Sequence, residues 1–377
     1  MNNYQRLGNY IEEIDVRNTD LAVDTLLGVS ISKEFIPSVA NTVGTNMKRY
    51  KVIEKNQFAC SIMQIRRDKK MPIALLKNYD KALVSQAYPV FKVKDENILL
   101  PDYLMMWFSR SEFDRQATFW AIGGVRGSLE WEDFLDFEIP VPSIEKQQMI
   151  VDEYNAITKK INLNEQLNQK LEQTAQSLYK HWFVDFEFPN EQGKPYKSNG
   201  GEMVYNTELD KEIPKGWEVV ELEKVIDFKN GKKRPQTLGK YPVYGGNGII
   251  DSVNEYNAEE ILVIGRVGAY CGSLYLEYEK CWVSDNAISG KAKNNDTTFC
   301  LFLLQNLNIA DRREGTGQPL ITQSILNNIQ MVLPKEKLRW LFDKKVNLMF
   351  IQIILNENQN DKLRNLQSLL LSKMSKD

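Results

Sequence analysis

The sequence predicts an α+β fold: two strand-rich domains joined by two long helices that pair as an antiparallel coiled coil, with internal pseudo-two-fold symmetry. Three observations predict it. The first is a duplication. Asn164-Glu165-Gln166-Leu167-Asn168-Gln169-Lys170-Leu171 returns 192 residues later as Asn356-Glu357-Asn358-Gln359-Asn360-Asp361-Lys362-Leu363, and the same offset carries Pro142 onto Pro334, Ile161 onto Ile353, Leu163 onto Leu355 and Leu178 onto Leu370. The second is that both copies lie in segments whose seam residues alternate steps of four and three. The third is that each helix follows a region rich in short strand-like runs. These divide the chain into a first domain at 1–139, a central helical repeat at 140–188, a connector at 189–212, a second domain at 213–333 and a C-terminal helical repeat at 334–377.

In the first domain, Lys51-Val52-Ile53-Glu54 and Ala87 to Val93 read as strands. Pro101 and Asp102 open a helix that runs through Phe108, since proline is tolerated in the first helical turn and an early acid favours it. Leu129 and Phe134 then lead to Pro140-Val141-Pro142, as Leu320 and Ile325 lead to Leu333-Pro334 if the repeat slips by one residue. The polar, Pro/Gly-rich run from Pro189 to Gly201 suits an exposed connection, and the second domain opens near Ile213-Pro214-Lys215-Gly216-Trp217. There, Glu260 to Ile264 and Gly272 to Leu276 are strands, and Thr298 to Leu304 is a helix.

The helix seams read Ile150, Tyr154, Ile157, Ile161, Asn164, Asn168, Leu171, Ala175, Leu178, and Phe342, Val346, Met349, Ile353, Asn356, Asn360, Leu363, Gln367, Leu370. Helix pairing is therefore assigned to Ile161, Asn164, Asn168, Leu171, Leu178, Ile353, Asn356, Asn360, Leu363 and Leu370. Asparagines in a seam weaken an apolar zipper but fix its register, because facing amides meet only in one alignment. A 30-residue helix is roughly 45 Å long, more than a compact domain needs, which fits a spacer.

Composition excludes several classes. No window of eighteen apolar residues is free of charges, and Met1-Asn2-Asn3-Tyr4-Gln5-Arg6 lacks the order of a secretory signal, so no membrane partner and a cytoplasmic location are expected. The four cysteines, Cys60, Cys271, Cys281 and Cys300, are scattered and read as buried thiols rather than a metal or redox site. Gly265-Arg266-Val267-Gly268 is too short for a dinucleotide or methyl-donor loop, and Asn230-Gly231-Lys232-Lys233-Arg234 lacks the glycine loop that wraps a phosphate. His181, the only histidine, ends the first repeat helix beside Trp182 and Phe183 and reads as a packed or capping residue. No grouping of the 50 acids suggests a two-metal nuclease. Neither a catalytic residue, nor a cofactor site, nor a metal site is assigned.

Recognition remains. The net charge is −2, so only local patches suit nucleic acid. One patch runs from Lys48 to Lys70 and includes Arg66, Arg67, Lys69 and Lys70 beside a strand; the other holds Lys232, Lys233 and Arg234 beside Gly231 and Pro235. Solvated surface explains either cluster alone, but one in each half points toward DNA. Gly245-Gly246-Asn247-Gly248 forms a tight turn, which is structural or else offers the Asn247 amide to adenine.

The chain resembles the specificity subunits of type I restriction-modification systems. The resemblance lies in Gly124-Val125-Arg126-Gly127-Ser128-Leu129-Glu130-Trp131 leading to Ile139-Pro140-Val141-Pro142, in Leu178 to Glu187, in Gly201-Glu202-Met203-Val204 followed by Glu212 to Trp217, and in Ile264 to Gly272 with Trp282-Val283-Ser284-Asp285. It spans practically the whole chain. It implies two target-recognition domains, each reading one part of an asymmetric bipartite double-stranded DNA site, with Arg126, Asn247 and Arg266 joining the basic clusters as DNA-binding candidates. It further implies that this chain is not an enzyme. Two modification (methyltransferase) subunits using S-adenosylmethionine would dock on the repeats, and motor-nuclease restriction subunits using ATP and magnesium would join them. In the first half, Arg66-Arg67-Asp68-Lys69 stands where the second has Gly265-Arg266-Val267-Gly268, so that turn is expected to be rebuilt there. The rival readings are a self-contained DNA methyltransferase or nuclease, and a non-catalytic coiled-coil scaffold with protein-binding end domains.

Overall fold

The computed structural model describes residues 4–39, 44–63, 65–121, 128–315 and 319–374. It divides into two compact units: Met1–Asn164 together with Asn358–Asp377, and Glu165–Glu357.

In the first unit the strand Tyr4–Arg6 pairs antiparallel with Glu138–Pro140, bringing the start of the strand-rich lobe back to the residues just before its long helix. A four-stranded sheet orders Ile11–Ile14, Val90–Val93, Phe58–Cys60 and Ile73–Leu75, while Lys51–Glu54 pairs with Lys81–Val84. Phe58 and Phe91 face each other across the sheet with ring centroids 4.9 Å apart, and Phe108, Phe113 and Phe134 from three helices pack around them. Those helices are Pro101–Phe108, with proline in its first turn as expected, Ser111–Trp120 and Trp131–Leu135. Fully buried aromatics of this size stabilise a core by roughly 2–3 kcal/mol each. The second expected strand starts at Val90 rather than Ala87; the preceding Pro89 has no N–H to give a ladder, and its carbonyl accepts from Cys60.

The second unit repeats this plan with longer strands. Glu218–Glu221 pairs with Gln330–Leu333, again closing the lobe just before a long helix. A six-stranded sheet orders Ile226–Asn230, Ala287–Ala292, Ala258–Gly265, Leu274–Val283, Leu238–Gly245 and Gly248–Val253. The helix Thr297–Asn306 packs on it through Phe299, Cys300 and Leu304. The segment read as a connector is more structured than its composition suggests: Met203–Asn206 and Lys211–Pro214 form a hairpin, and the Phe188 ring stacks between Tyr196 and Trp217.

Two elements show the duplication without any slip. Trp131–Leu135 and Gln323–Asn327 are offset by the repeat distance, so the equivalents of the buried Leu129 and Phe134 are Ile321 and Leu326, both fully buried, rather than Leu320 and Ile325. Gln147 and its equivalent Arg339 are both buried and both tie a long helix to a neighbouring helix start. Gln147 accepts from Leu100 N–H, the residue before Pro101, at 2.9 Å, and Arg339 pairs with Asp296, the residue before Thr297.

The long helices are Ile144–Tyr179, continued by a π-helical turn over Lys180–Val184, and Glu336–Lys373. Every seam residue is buried or half-buried, while the residues between are mostly exposed. In the first unit Asn164 Nδ2 donates to Asn360 Oδ1 at 2.8 Å and to Gln359 Oε1 at 2.9 Å, Gln367 Nε2 donates to Thr158 Oγ1, and Ile150 shares a core cluster with Met374. In the second unit Asn356 Nδ2 donates to Asn168 Oδ1 at 2.7 Å, and Trp182 meets Phe342. Within each unit, partners climb one helix as they descend the other. His181 does not pack: its side chain is exposed in the π-helical turn, and Trp182 and Phe183 fill the core instead. All four cysteines are buried and unpaired, and burial pushes the Cys281 thiol up to about 12. Among the described residues no helix is long and apolar enough to cross a membrane.

Candidate nucleic-acid interface

In the second unit three loops converge on the Ser284–Asn286 turn. The Arg266 N–H donates to the Asn286 carbonyl at 3.0 Å, the Gly231 N–H to Ala287 at 3.0 Å, and the Ser284 N–H to Tyr244 at 2.9 Å. The residues demand it. A Cβ on Gly231 would lie 1.9 Å from the Ser284 carbonyl oxygen, and one on Gly265 would lie 2.3 Å from the Tyr270 oxygen, so only glycine lets these loops approach so closely. The hairpin Gly245–Gly248 reaches the same place, because a Cβ on Gly246 would lie 3.5 Å from the Asn286 carbonyl oxygen, and the Gly246 carbonyl accepts from Ser273 Oγ at 2.6 Å. Its turn residues Gly246 and Asn247 are followed by Gly248 at φ +79°, the arrangement of a type I turn with a glycine bulge, and this leaves Asn247 exposed at the tip.

The structure therefore brings Lys232, Asn247 and Arg266 to one set of loops, with Lys233 and Arg234 beside Lys232. Their chemistry differs. Arg234 is neutralised by Asp251, Nη1 to Oδ2 at 2.6 Å, whereas Lys232 and Lys233 are exposed and meet no carboxylate among the described residues. Lys229, from the same stretch, pairs with Asp227. Arg266 is half-buried, and its Nε is buried without a hydrogen-bond partner among the described residues. Its carbonyl accepts from Ile321 N–H at 2.9 Å. Sequence reading missed Arg312, Arg313 and Tyr270, all exposed near these loops. Burial raises the Cys271 thiol while Arg313 pulls it down, which places that arginine beside the Gly268–Tyr270 turn. No local motif marks it, since the contact arises only when Ala310 packs against Gly272 and Leu320 bridges to Val267.

In the first unit the basic run is less uniform than its composition suggests. Lys51 is buried in its strand and reaches Glu13 and Asp15 at 3.6 and 3.7 Å, a structural role. Arg66 and Arg67 lie on a one-turn helix, Ile65–Asp68, closed by Lys69 at φ +52°. Arg67 is engaged by Asp68 at 2.7 Å, and Arg66, Lys69 and Lys70 are exposed. Residues 65–68 thus form a helix, but the expected correspondence with Gly265–Gly268 needs correcting. The hydrogen bonds that hold Arg266 to Asn286 and Ile321 recur at Cys60, which donates to Pro89, and at Ile62, which accepts from Leu129. The counterpart of Arg266 therefore falls within Cys60–Ile62, upstream of the arginines. Arg126 lies outside the described residues. Among the described residues no three His, Cys, Asp or Glu side chains are grouped to hold a metal.

The model of the type I restriction modification DNA specificity domain matches residues 50–173 and again residues 214–369. The chain belongs to this specificity family. Each match begins within a strand-rich lobe and ends in a long helix, so the family unit occurs twice here. The specificity subunit of the type I restriction enzyme MjaIX of Methanocaldococcus jannaschii is 26% identical over 305 residues, covering 73% of this chain and 68% of that protein. The HindI specificity subunit of Haemophilus influenzae is 23% identical over 374 residues, covering 78% and 81%. The crystal structure of a type I restriction-modification S subunit from M. genitalium shares the fold at a TM-score of 0.63 and 16% identity, over 98% of this chain and 95% of that one.

Proposed function

We propose that this chain is the non-catalytic specificity subunit of a type I restriction-modification complex and that its two lobes read the two parts of an asymmetric bipartite DNA site. The observation that carries this reading is the double occurrence of the family unit, a strand-rich lobe followed by a long helix. The seam supports an antiparallel coiled coil with pseudo-two-fold symmetry. Asn164 donates to Asn360 as Asn356 donates to Asn168, and the repeat offset exchanges one bond for the other. A helical pair locked in register in this way would set the spacer between the two parts of the site. Two modification subunits would dock on the repeats and supply adenine methylation with S-adenosylmethionine, and restriction subunits with ATP and magnesium would supply cleavage.

In this scheme Lys232 and Lys233 contact phosphates, because they are exposed and meet no carboxylate among the described residues. The test is methylome sequencing of a host that expresses this chain with its modification subunit, before and after exchange of residues 213–333. A bipartite methylated motif of which one half alone changes supports the reading; a motif whose halves change together, or no methylation with both proteins present, refutes it.

A further inference from the structure

Arg266 is built differently from the other basic residues on these loops. Its backbone is held on both sides, N–H to the Asn286 carbonyl and C=O to the Ile321 N–H, at the end of a strand where Gly265 leaves no room for a side chain. A guanidinium drawn inward normally meets a carboxylate or carbonyl through at least one nitrogen, as Arg339 meets Asp296 through Nη1 in the same unit even though its Nε, too, is buried without a partner among the described residues. The Arg266 guanidinium meets neither through any nitrogen among the described residues, and its Nε is already out of solvent. A lysine or arginine that serves phosphates needs only charge and reach, which the exposed Lys232 and Lys233 offer. An arginine anchored at its base, half-buried and with no partner for its fork among the described residues, is instead prepared for a planar acceptor pair at a fixed place. In duplex DNA that pair is the O6 and N7 edge of guanine in the major groove.

We infer that Arg266 reads a guanine in the half-site recognised by the second lobe, making it a specificity-determining residue rather than a phosphate contact. This rests on the proposed DNA-reading function of that lobe. Asn286 and the Gly246-Asn247 turn lie beside it, so the base is approached from the same loop cluster.

The experiment uses the assembled methyltransferase complex. Arg266→Lys keeps the charge but loses the fork; methylome sequencing should then show a motif degenerate at one guanine of the second-lobe half-site, with the other half unchanged. Lys232→Ala with Lys233→Ala should lower methylation at all sites without altering the motif. For the wild-type complex, 7-deazaguanine at that one position should weaken binding about ten-fold or more, because one of the two acceptors is gone. This arm does not depend on how any variant folds. A wild-type half-site without a guanine, an Arg266→Lys motif identical to wild type, or full affinity for the 7-deaza duplex would overturn the inference. A wild-type complex that methylates no bipartite motif would instead sink the reading on which it rests.

Discussion

Replacing Asn164 by alanine removes two side-chain hydrogen bonds at once, to Asn360 and to Gln359. The two acceptors respond differently. Gln359 is exposed and can turn to water, but Asn360 is 2% exposed and its Oδ1 would lose this donor inside the seam. A net hydrogen bond contributes about 1 kcal/mol and an orphaned buried acceptor costs about 1–3 kcal/mol, so Asn164→Ala should destabilise the first unit by about 2–4 kcal/mol. Asn164→Leu combined with Asn360→Leu removes the polar pair altogether and should recover most of that loss, because two facing leucines leave nothing unsatisfied. The recovery has a functional cost: with only the Asn168–Asn356 amide pair left to hold the register, the seam tolerates slipped alignments more readily, and the double variant should methylate targets of altered spacer length. Urea unfolding followed by helical circular dichroism, run on wild type, both Leu singles, the Leu pair and Asn164→Ala, gives the coupling directly. If Asn164→Ala unfolds with wild type, or if the Leu pair is less stable than the sum of its singles, the asparagines do not govern the seam.

Alanine at Lys232 and Lys233 should reduce the slope of log affinity against log salt by about 0.9 per lost phosphate contact, while Arg234→Ala should change it less because Asp251 already holds that guanidinium; binding isotherms at several salt concentrations decide. Leu363→Asp places a carboxylate where the Asn164–Asn360 register sets Ile161 opposite, and a loss of about 2 kcal/mol or more together with failure to co-elute with the modification subunit is expected; normal assembly would remove the seam from the account of partner docking. Burial holds Asp343 above the usual carboxylate range, against the pull of Thr298 hydroxyl and backbone donors, and burial does the same to Asp296 against Arg339. A carboxyl whose folded-state pKa is raised stabilises the fold most below its unfolded pKa, and that contribution is lost as pH rises through the raised value. Stability of the second unit should therefore fall as pH rises just above about 4, and Asp343→Asn, which keeps an oxygen for the helix start at Thr298, should flatten the melting temperature across that window.

The helices were legible because their signal is local: the steps of four and three identify the seam residues before any partner is known, and the asparagine repeat identifies the partner. The lobes were not. Their strands in the first unit are three or four residues long, too short for alternation to register, and they pair with segments tens of residues away, as Gln5 does with Ile139. The basic clusters were visible as composition, but their division into spent and available charges was hidden. Arg234 is claimed by Asp251 across a strand, and Lys51 is drawn into the interior toward Glu13 and Asp15, pairings that only the folded sheets create. Arg266 was visible through its flanking glycines, whereas its unclaimed Nε depends on where residues 284–286 and 320–321 fall.

The first unit is discontinuous, and the second lies wholly inside the gap. A ribosome making this chain therefore releases all of residues 165–357 before the last piece of the first unit exists. The half synthesised first is the half completed last. Until residues 358–374 emerge, the cluster around Ile150 and Val151 lacks Leu370, Leu371 and Met374, and Thr158 waits for a partner 209 positions downstream. A premature stop or a protease nick near the C-terminus thus damages the lobe at the opposite end of the sequence, while the intervening unit keeps its own residues intact.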